Sequence, residues 1–354
     1  IIDLREELKA GNRSIFSVRL RELMEDRLSK GQQIMLFLNR RGYAGFVSCR
    51  ACGHVIKCPH CDISLSLHTG GRMICHYCGY QSAAVKKCPS CGSAYIGAFR
   101  AGTQQVAEQA GKEFPGARVL RMDFDTTKQK GGHEKILEAF SRREADILVG
   151  TQMIVKGHDF PGVTLVGILA ADLSLYAGDY RASERTFQLL TQAAGRAGRG
   201  TEKGVAVIQT YSPDHYSVTA AAAQDYESFF RQEMAYRQLM HYPPASHLLA
   251  LYLMSEKEEE LDTGAGILKD LAARTAEETR REMRQTERNV IHMIGPAEAG
   301  LAKLKDVYRR VLYVKCGNLA LLLAWKEKLE TELGREERLR ALNIQFDMDP
   351  VNPF

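Results

Sequence analysis

The 354-residue chain lacks any G-x-x-x-x-G-K-[ST] stretch, so it holds no Walker-type loop whose backbone amides cradle a phosphate. It has no run of 18 apolar residues, which removes a membrane-spanning helix from consideration. No charged start followed by an apolar stretch and a small-residue cleavage site opens it, so a secretory reading has no support either. A cytoplasmic location is the expectation. Net charge is also scarce: 48 Lys and Arg against 43 Asp and Glu leave +5, too little to point to any polyanionic partner by itself. Any basic surface must therefore be local. The chain opens Ile1-Ile2-Asp3 without a methionine, and is read as part of something longer.

What is present is substantial apolar content, 45%, enough for sizeable cores in two or three domains. The apolar run at 34–38 suits a buried strand and is followed by the polar turn "NRRGY". After Arg100 short apolar strands (118–123, 146–150, 163–169, 204–210) alternate with helical patterns (103–113, 133–143, 183–195), the mark of a parallel sheet covered on both faces. The strand at 34–38 is expected in the same sheet. From about Asp214 a helical lead-in over 219–240 stops at the prolines of "YPP". Then follow strand 247–254, a charged helix 257–286 with a solvated outer face, strands 289–294 and 309–316, helix 318–334 and strand 342–348. That βαββαβ order is a split βαβ, ferredoxin-like α+β unit. The fold class is thus α/β. A parallel-sheet lobe (1–45 and 96–213) carries a cysteine-rich insertion (46–95) and is followed by the C-terminal domain (214–354).

Of nine cysteines, eight fall between Cys49 and Cys91 as "CRAC", "CPHC", "CHYC" and "CPSC". Such clustering reads as metal binding rather than disulfides, and four C-x-x-C knuckles supply two tetrahedral zinc sites of four thiolates each. The thirteen residues between Cys61 and Cys75 approximate the usual spacing within one ribbon, favouring Cys58, Cys61, Cys75 and Cys78 as one site. Cys49, Cys52, Cys88 and Cys91 would close a second, nested site; a cross-braced pairing stands as the alternative. His54, His60, His68 or His76 could replace a thiolate, although the eight cysteines already fill two sites. A closed shell of four thiolates leaves no open position for water, so these zincs are expected to be structural. Thiol redox chemistry at the pairs is the weakest reading. Cys316, alone, is expected as a buried thiol. Eight basic residues against the single acid Asp62 lie between Arg40 and Arg100, a modest patch compatible with phosphate contact or a protein partner.

The stretch "TQAAGRAGRG" at 191–200 places Gln192, Arg196 and Arg199 at i, i+4 and i+7. On a helix all three would project from one face, and Gly195 and Gly198, costly inside a helix, suggest close approach of another surface. "QAAGRAGR" resembles motif VI of superfamily 2 helicases, and "GTQMIVKGHDFPGVTLV" at 150–166 resembles their motif V. With "LFLNRRGYAGFVSCRACG", the inserted C-x-x-C pairs, "FPGARVLRMDFD" and the ending "FDMDP", the chain resembles along its whole length the PriA family of bacterial primosomal replication-restart helicases. Gln104 departs from the acidic residue expected there.

The resemblance implies the second, RecA-like helicase lobe, its zinc insertion and the C-terminal domain of an ATP-dependent 3′–5′ DNA helicase acting at stalled forks. The P-loop would lie on a first lobe outside this chain. ATP and Mg²⁺ would bind only with that lobe, Arg196 and Arg199 reaching the γ-phosphate as arginine fingers and Gln192 positioning them or the attacking water. Gly157 and Asp159 would line the nucleotide cleft, and Thr151 and Gln152 would touch the DNA backbone. Arg40, Arg41 and Tyr43 are further candidates for strand contact, or else a structural turn. Implied partners are forked and single-stranded DNA, single-stranded-DNA-binding protein and other primosome proteins, in the cytoplasm of a bacterium and associated with the nucleoid. Arg309, Arg310 and Lys315 are basic residues near a strand with no motif around them. The other reading is a non-catalytic, zinc-dependent nucleic-acid and protein docking module, which would bind without ATP.

Overall fold

A computed structural model describes residues 1–38, 45–61, 63–68, 70–98, 102–127, 131–155, 159–176, 179–284 and 290–351. The first elements are β1 (Ile2–Asp3), α1 (Leu4–Lys9), α2 (Val18–Ser29), β2 (Gln33–Leu38) and β3 (Gly45–Cys49). Short strands follow: β4 (Ser66–Leu67), β5 (Arg72–Ile74), β6 (Gln81–Ala83) and β7 (Ile96–Ala98). Alternation then sets in with α3 (Thr103–Glu113), β8 (Val119–Met122), α4 (Gly132–Ser141), β9 (Ile147–Gly150), α5 (Gln152–Val155) and β10 (Val163–Leu169). Next come α6 (Asp172–Leu175), α7 (Ala182–Ala194), β11 (Val205–Thr210), α8 (Tyr216–Ala223) and α9 (Tyr226–Leu239). The chain closes with β12 (His247–Ser255), α10 (Glu258–Glu282), β13 (His292–Leu304), β14 (Val307–Cys316), α11 (Leu319–Arg335) and β15 (Asn343–Met348).

The chain folds as two compact units. One comprises Ile1–Ile56, Ala84–Ala177 and Arg181–Phe230; the other comprises Lys57–Ala83, Gly178–Tyr180 and Arg231–Phe354. The division runs through the cysteine-rich segment that the sequence sets apart.

In the first unit six parallel strands lie in the order β1-β11-β10-β2-β9-β8, with the strand at 33–38 in the interior between β10 and β9. Every residue of β2, β9 and β10 is buried, as continuous apolar runs covered on both faces must be. Leu20 and Met24 of α2 and Val106 and Ala110 of α3 pack on one face. Leu137 and Phe140 of α4, Leu190 of α7 and Val218 of α8 pack on the other. The Ser17 hydroxyl caps α2 by accepting from the Leu20 amide at 3.2 Å. β3 and β7 form an antiparallel pair beside this sheet.

In the second unit the order β13-β14-β12-β15, antiparallel throughout, is that of a split βαβ sheet. Alternate residues divide its faces. Leu249, Leu251, Leu253, Leu312 and Val314 meet Leu268 of α10 and Leu322 and Trp325 of α11. Ala250, Tyr252, Val311, Tyr313 and Lys315 point the other way and are buried too.

Several boundaries differ from the sequence expectation. The lead-in helix over 219–240 is two helices, because Gln224 adopts φ +54° and turns the chain between α8 and α9. The charged helix stops at Glu282. β13 runs to Leu304, ten residues past the expected end, with register shifts that let it continue past Pro296.

Candidate functional site

The four C-x-x-C segments share one backbone geometry. In each, the amide of the first cysteine donates to the carbonyl five residues on: Cys49 to His54, Cys58 to Ile63, Cys75 to Tyr80 and Cys88 to Ser93, all at 2.8–2.9 Å. In three of them a glycine follows the second cysteine and turns back to the first: Gly53, Gly79 and Gly92 have φ between +72° and +79° and donate to Cys49, Cys75 and Cys88. Only glycine adopts that conformation without strain. The turn aims both sulfurs of a knuckle at one point.

The knuckles pair in the nested way. Cys49, Cys52, Cys88 and Cys91 form one cluster and Cys58, Cys61, Cys75 and Cys78 another, the four sulfurs of each lying within 4.8 Å of one another. The Cys49–Cys91 and Cys52–Cys88 sulfurs are 3.7 Å apart and the Cys58–Cys78 sulfurs 3.5 Å. A tetrahedral zinc centre with four Zn–S bonds of about 2.3 Å has edges of about 3.8 Å, so both clusters fit the ion. Among the described residues no histidine joins either cluster. Crowding shows in the thiols: a hydrogen bond from Cys61 pulls Cys75 down to about 5, and burial pushes Cys52 up to about 12. A dication bound by both clusters would supply structural cross-links, not an open coordination site.

The second cluster is built into the sheet of its unit. Tyr77, between ligands Cys75 and Cys78, is wholly buried, stacked on Tyr313 of β14 at 4.7 Å and 19° and edge-on to Tyr242 at 6.4 Å. The knuckle thereby covers part of the sheet face opposite α10 and α11. Lys315 lies on that face as well. Its Nζ donates to the Met240 carbonyl at 2.9 Å and sits 3.5 Å from the Tyr242 ring centre. Burial lowers its pKa to about 8, against the opposing pull of the Cys61 sulfur. Arg310 is tied to Glu258 and Asp262, and Arg309 lies over the Tyr252 ring. Nothing in the local sequence around Tyr77 or Lys315 signals these contacts, which join residues distant in sequence, 75 positions apart for Lys315 and Met240.

The arginines sit differently from expectation. α7 ends at Ala194, with Gly195 as its cap, so Gln192 is on the helix but Arg196 and Arg199 are on the turn that follows. The three do not share a helix face. Gly198, at φ +75°, donates to the Val163 carbonyl, and a Cβ on it would lie 2.3 Å from the Gly204 nitrogen. This is the close approach that the glycines suggested, here by the chain's own return into β11. Arg199 is held by its Nε–H to the Gly195 carbonyl at 2.9 Å and lies 3.4 Å from Asp159. Arg196 is half-buried, and burial followed by the charge of Arg199 lowers its pKa.

Arg196, Arg199 and Asp159 thus gather at the amino ends of β10 and β11. Thr151 stands at the carboxyl end of β9, and Gln152 opens α5. Gly157, Arg40, Arg41 and Tyr43 lie outside the described residues.

With this geometry in place the relatives are informative. Residues 58–82 match the PriA DNA helicase Cys-rich region, 96–201 the helicase conserved C-terminal domain, and 238–351 the primosomal protein N C-terminal domain. Replication restart protein PriA of Bacillus subtilis is 46% identical over 351 residues, covering 99% of this chain and 42% of that protein. Its counterpart in Synechocystis is 40% identical over 99% of this chain and 41% of that protein, and that of Thermotoga maritima 34% over 96% and 44%. The chain therefore spans less than half the length of these relatives. Among the described residues no helix is long and apolar enough to cross a membrane. Two clusters of four cysteines, a parallel-sheet lobe and a split βαβ domain occur here in one chain, three models of the family's regions match within them, and PriA relatives align along 99% of the chain; the chain belongs to the PriA family.

Proposed function

We propose that this chain forms the second lobe and C-terminal domain of an ATP-dependent 3′–5′ DNA helicase that restarts replication at stalled forks. The observation that carries the reading is the turn at 195–199, where Arg199 meets Asp159 and Arg196 lies within reach of the charge of both, at the amino ends of β10 and β11. Two adjacent cations at that edge repel each other, and Arg196 is held below its ordinary pKa partly for that reason. A polyphosphate presented by a P-loop lobe relieves that repulsion. Arg196 and Arg199 then place positive charge where negative charge develops during phosphoryl transfer, Gln192 orients the pair or the attacking water, and Asp159 and Gly157 line the cleft. Thr151 and Gln152 lie on the segment that leads from the carboxyl edge of the sheet back to Asp159. Contact of DNA with them, joined by Arg40, Arg41 and Tyr43, is coupled through that segment to the arginine turn.

In this reading the eight cysteines hold two structural zinc ions. The partners are forked and single-stranded DNA, single-stranded-DNA-binding protein and other primosome proteins. The test joins this chain to a P-loop lobe of the family and measures DNA-stimulated ATP hydrolysis. Arg199→Ala is expected to lower turnover by about 10³-fold, the scale of an arginine finger. Unchanged turnover in the variant overturns the role. The chain alone is expected to hydrolyse no ATP.

A further inference from the structure

Three cations of the first unit converge on a pocket away from the arginine turn. It has a volume of about 470 Å³ and lies between the α1–α2 connection, α3 and the carboxyl ends of β10 and β11. Arg13 enters from the connection, Lys112 from α3 and Arg50 from the first cysteine knuckle. Gln105 and Gln109 line the α3 side, and half-buried Tyr211 lines the end of β11. The volume is that of a small-ligand site, within about 300–1,000 Å³. Ligands of parallel α/β sheets collect at the carboxyl ends of the strands.

The charge in the pocket is uncompensated. Arg5, Arg27, Arg118 and Arg121 of the same unit each pair with a carboxylate. Arg13, Arg50 and Lys112 pair with none among the described residues, and Arg13 instead donates to the Tyr95 hydroxyl at 3.3 Å. Arg50 is close enough to Tyr211 to pull down a phenol that burial otherwise raises. One acid, Glu108, faces the three. Such a lining suits an anion that also offers hydrogen-bonding edges to two amides and a face to an aromatic ring.

From these features we infer that the pocket binds a nucleoside phosphate, with the phosphate against Arg13, Arg50 and Lys112 and the base toward Gln105, Gln109 and Tyr211. Its position favours a nucleotide unit of a single strand as the source. β10 rises about 3.3 Å per residue, so the pocket is about 20 Å from the arginine turn at the other end of the strand. Thr151 is on the same edge as the pocket. The ends of β9 and β10, separated by β2, lie about 10 Å apart, within reach of one short stretch of strand. The inference rests on the nucleic-acid reading of the chain but not on the role of the arginine turn.

The test titrates the 354-residue chain against a fluorescent 15-nucleotide oligothymidylate at several salt concentrations. The double variant Arg13→Gln/Lys112→Gln is expected to bind about tenfold more weakly at low salt, and its salt slope is expected to fall by about 1.4, the share of two phosphate contacts on a single strand. Glu108→Gln, which removes the opposing charge, is expected to tighten binding. Competition with thymidine monophosphate separates the sources: displacement only at millimolar nucleotide supports a strand, and displacement at micromolar nucleotide overturns the strand in favour of a free nucleotide. Oligonucleotide binding with unchanged affinity and slope in the double variant overturns the pocket while leaving the helicase reading intact. No binding of either probe by the wild-type chain overturns it as well. Zinc content and the circular-dichroism unfolding transition are read on each variant to show that it is folded.

Discussion

Replacing Tyr77 by alanine tests whether the second metal knuckle is part of the core of the C-terminal unit. The ring is fully buried against Tyr313 and Tyr242, yet its backbone belongs to the turn between Cys75 and Cys78. Truncating a buried aromatic to alanine costs about 3–5 kcal/mol, and the stacked pair adds about 1 kcal/mol. At a urea dependence of about 2 kcal/mol/M, a loss of about 4 kcal/mol moves the midpoint down by about 2 M. The molecule carries its own reporter: Trp325 is the single tryptophan, fully buried on α11, with its indole N–H donating to Ala272 and Thr275. Its fluorescence follows the unfolding of this unit alone. The cysteines and the glycine turn are untouched, so zinc measured by release with a thiol reagent should stay at about two per chain. A Trp325 transition that stays within about 0.3 M of wild type, with zinc intact, refutes the claim that the knuckle shares the unit's cooperative core.

Other expectations concern the metal sites, the arginine turn and acid stability. Cys75→Ser should lower the Trp325 midpoint, whereas Cys88→Ser, in the cluster of the other unit, should leave that midpoint near wild type while still reducing bound zinc. Gly198→Ala forces a side chain into φ +75° against the Gly204 backbone and is expected to destabilise the lobe by about 2–3 kcal/mol, read by circular dichroism during denaturation. Asp146 is held below the ordinary 3.8 by hydrogen bonds from Arg118. Its contribution is therefore present above about pH 4 and lost as pH falls through the lowered value, so Asp146→Asn should be less stable than wild type at pH 7 and equal to it in strong acid, by unfolding midpoints across pH.

Much of the architecture was legible because it depends on local pattern. Apolar runs at 34–38, 146–150 and 163–169 could only be doubly covered strands, and the interval of thirteen residues between Cys61 and Cys75 pointed to the nested pairing that the sulfurs adopt. What was not legible depends on contacts distant in sequence. The spacing of Gln192, Arg196 and Arg199 read as a helix face, but α7 ends early because Gly198 must pass the incoming Gly204 backbone. Gln224 interrupts a stretch of good helix formers by adopting a left-handed conformation that no residue type there demanded. Arg13 and Lys112 are unremarkable in sequence, and only the folding of α3 beside the α1–α2 connection brings them to one pocket. Nothing in "CHYC" marks Tyr77 as a core residue, because its ring partners lie at 242 and 313.

The route of the chain between its two units has a practical consequence for dissecting the molecule. The backbone passes from one to the other after Ile56, Ala83, Ala177, Tyr180 and Phe230. No single cut can release either unit whole. A fragment starting near 231 would lose Tyr77 from the sheet face of Tyr313, inviting aggregation through newly exposed apolar surface. Excising the cysteine-rich segment as though it were a detachable finger would remove one metal site from each unit together with the lid of that sheet. Loss of activity after such a deletion would report misfolding in both halves, and the role of the segment is better tested by point substitutions that leave the knuckles closed.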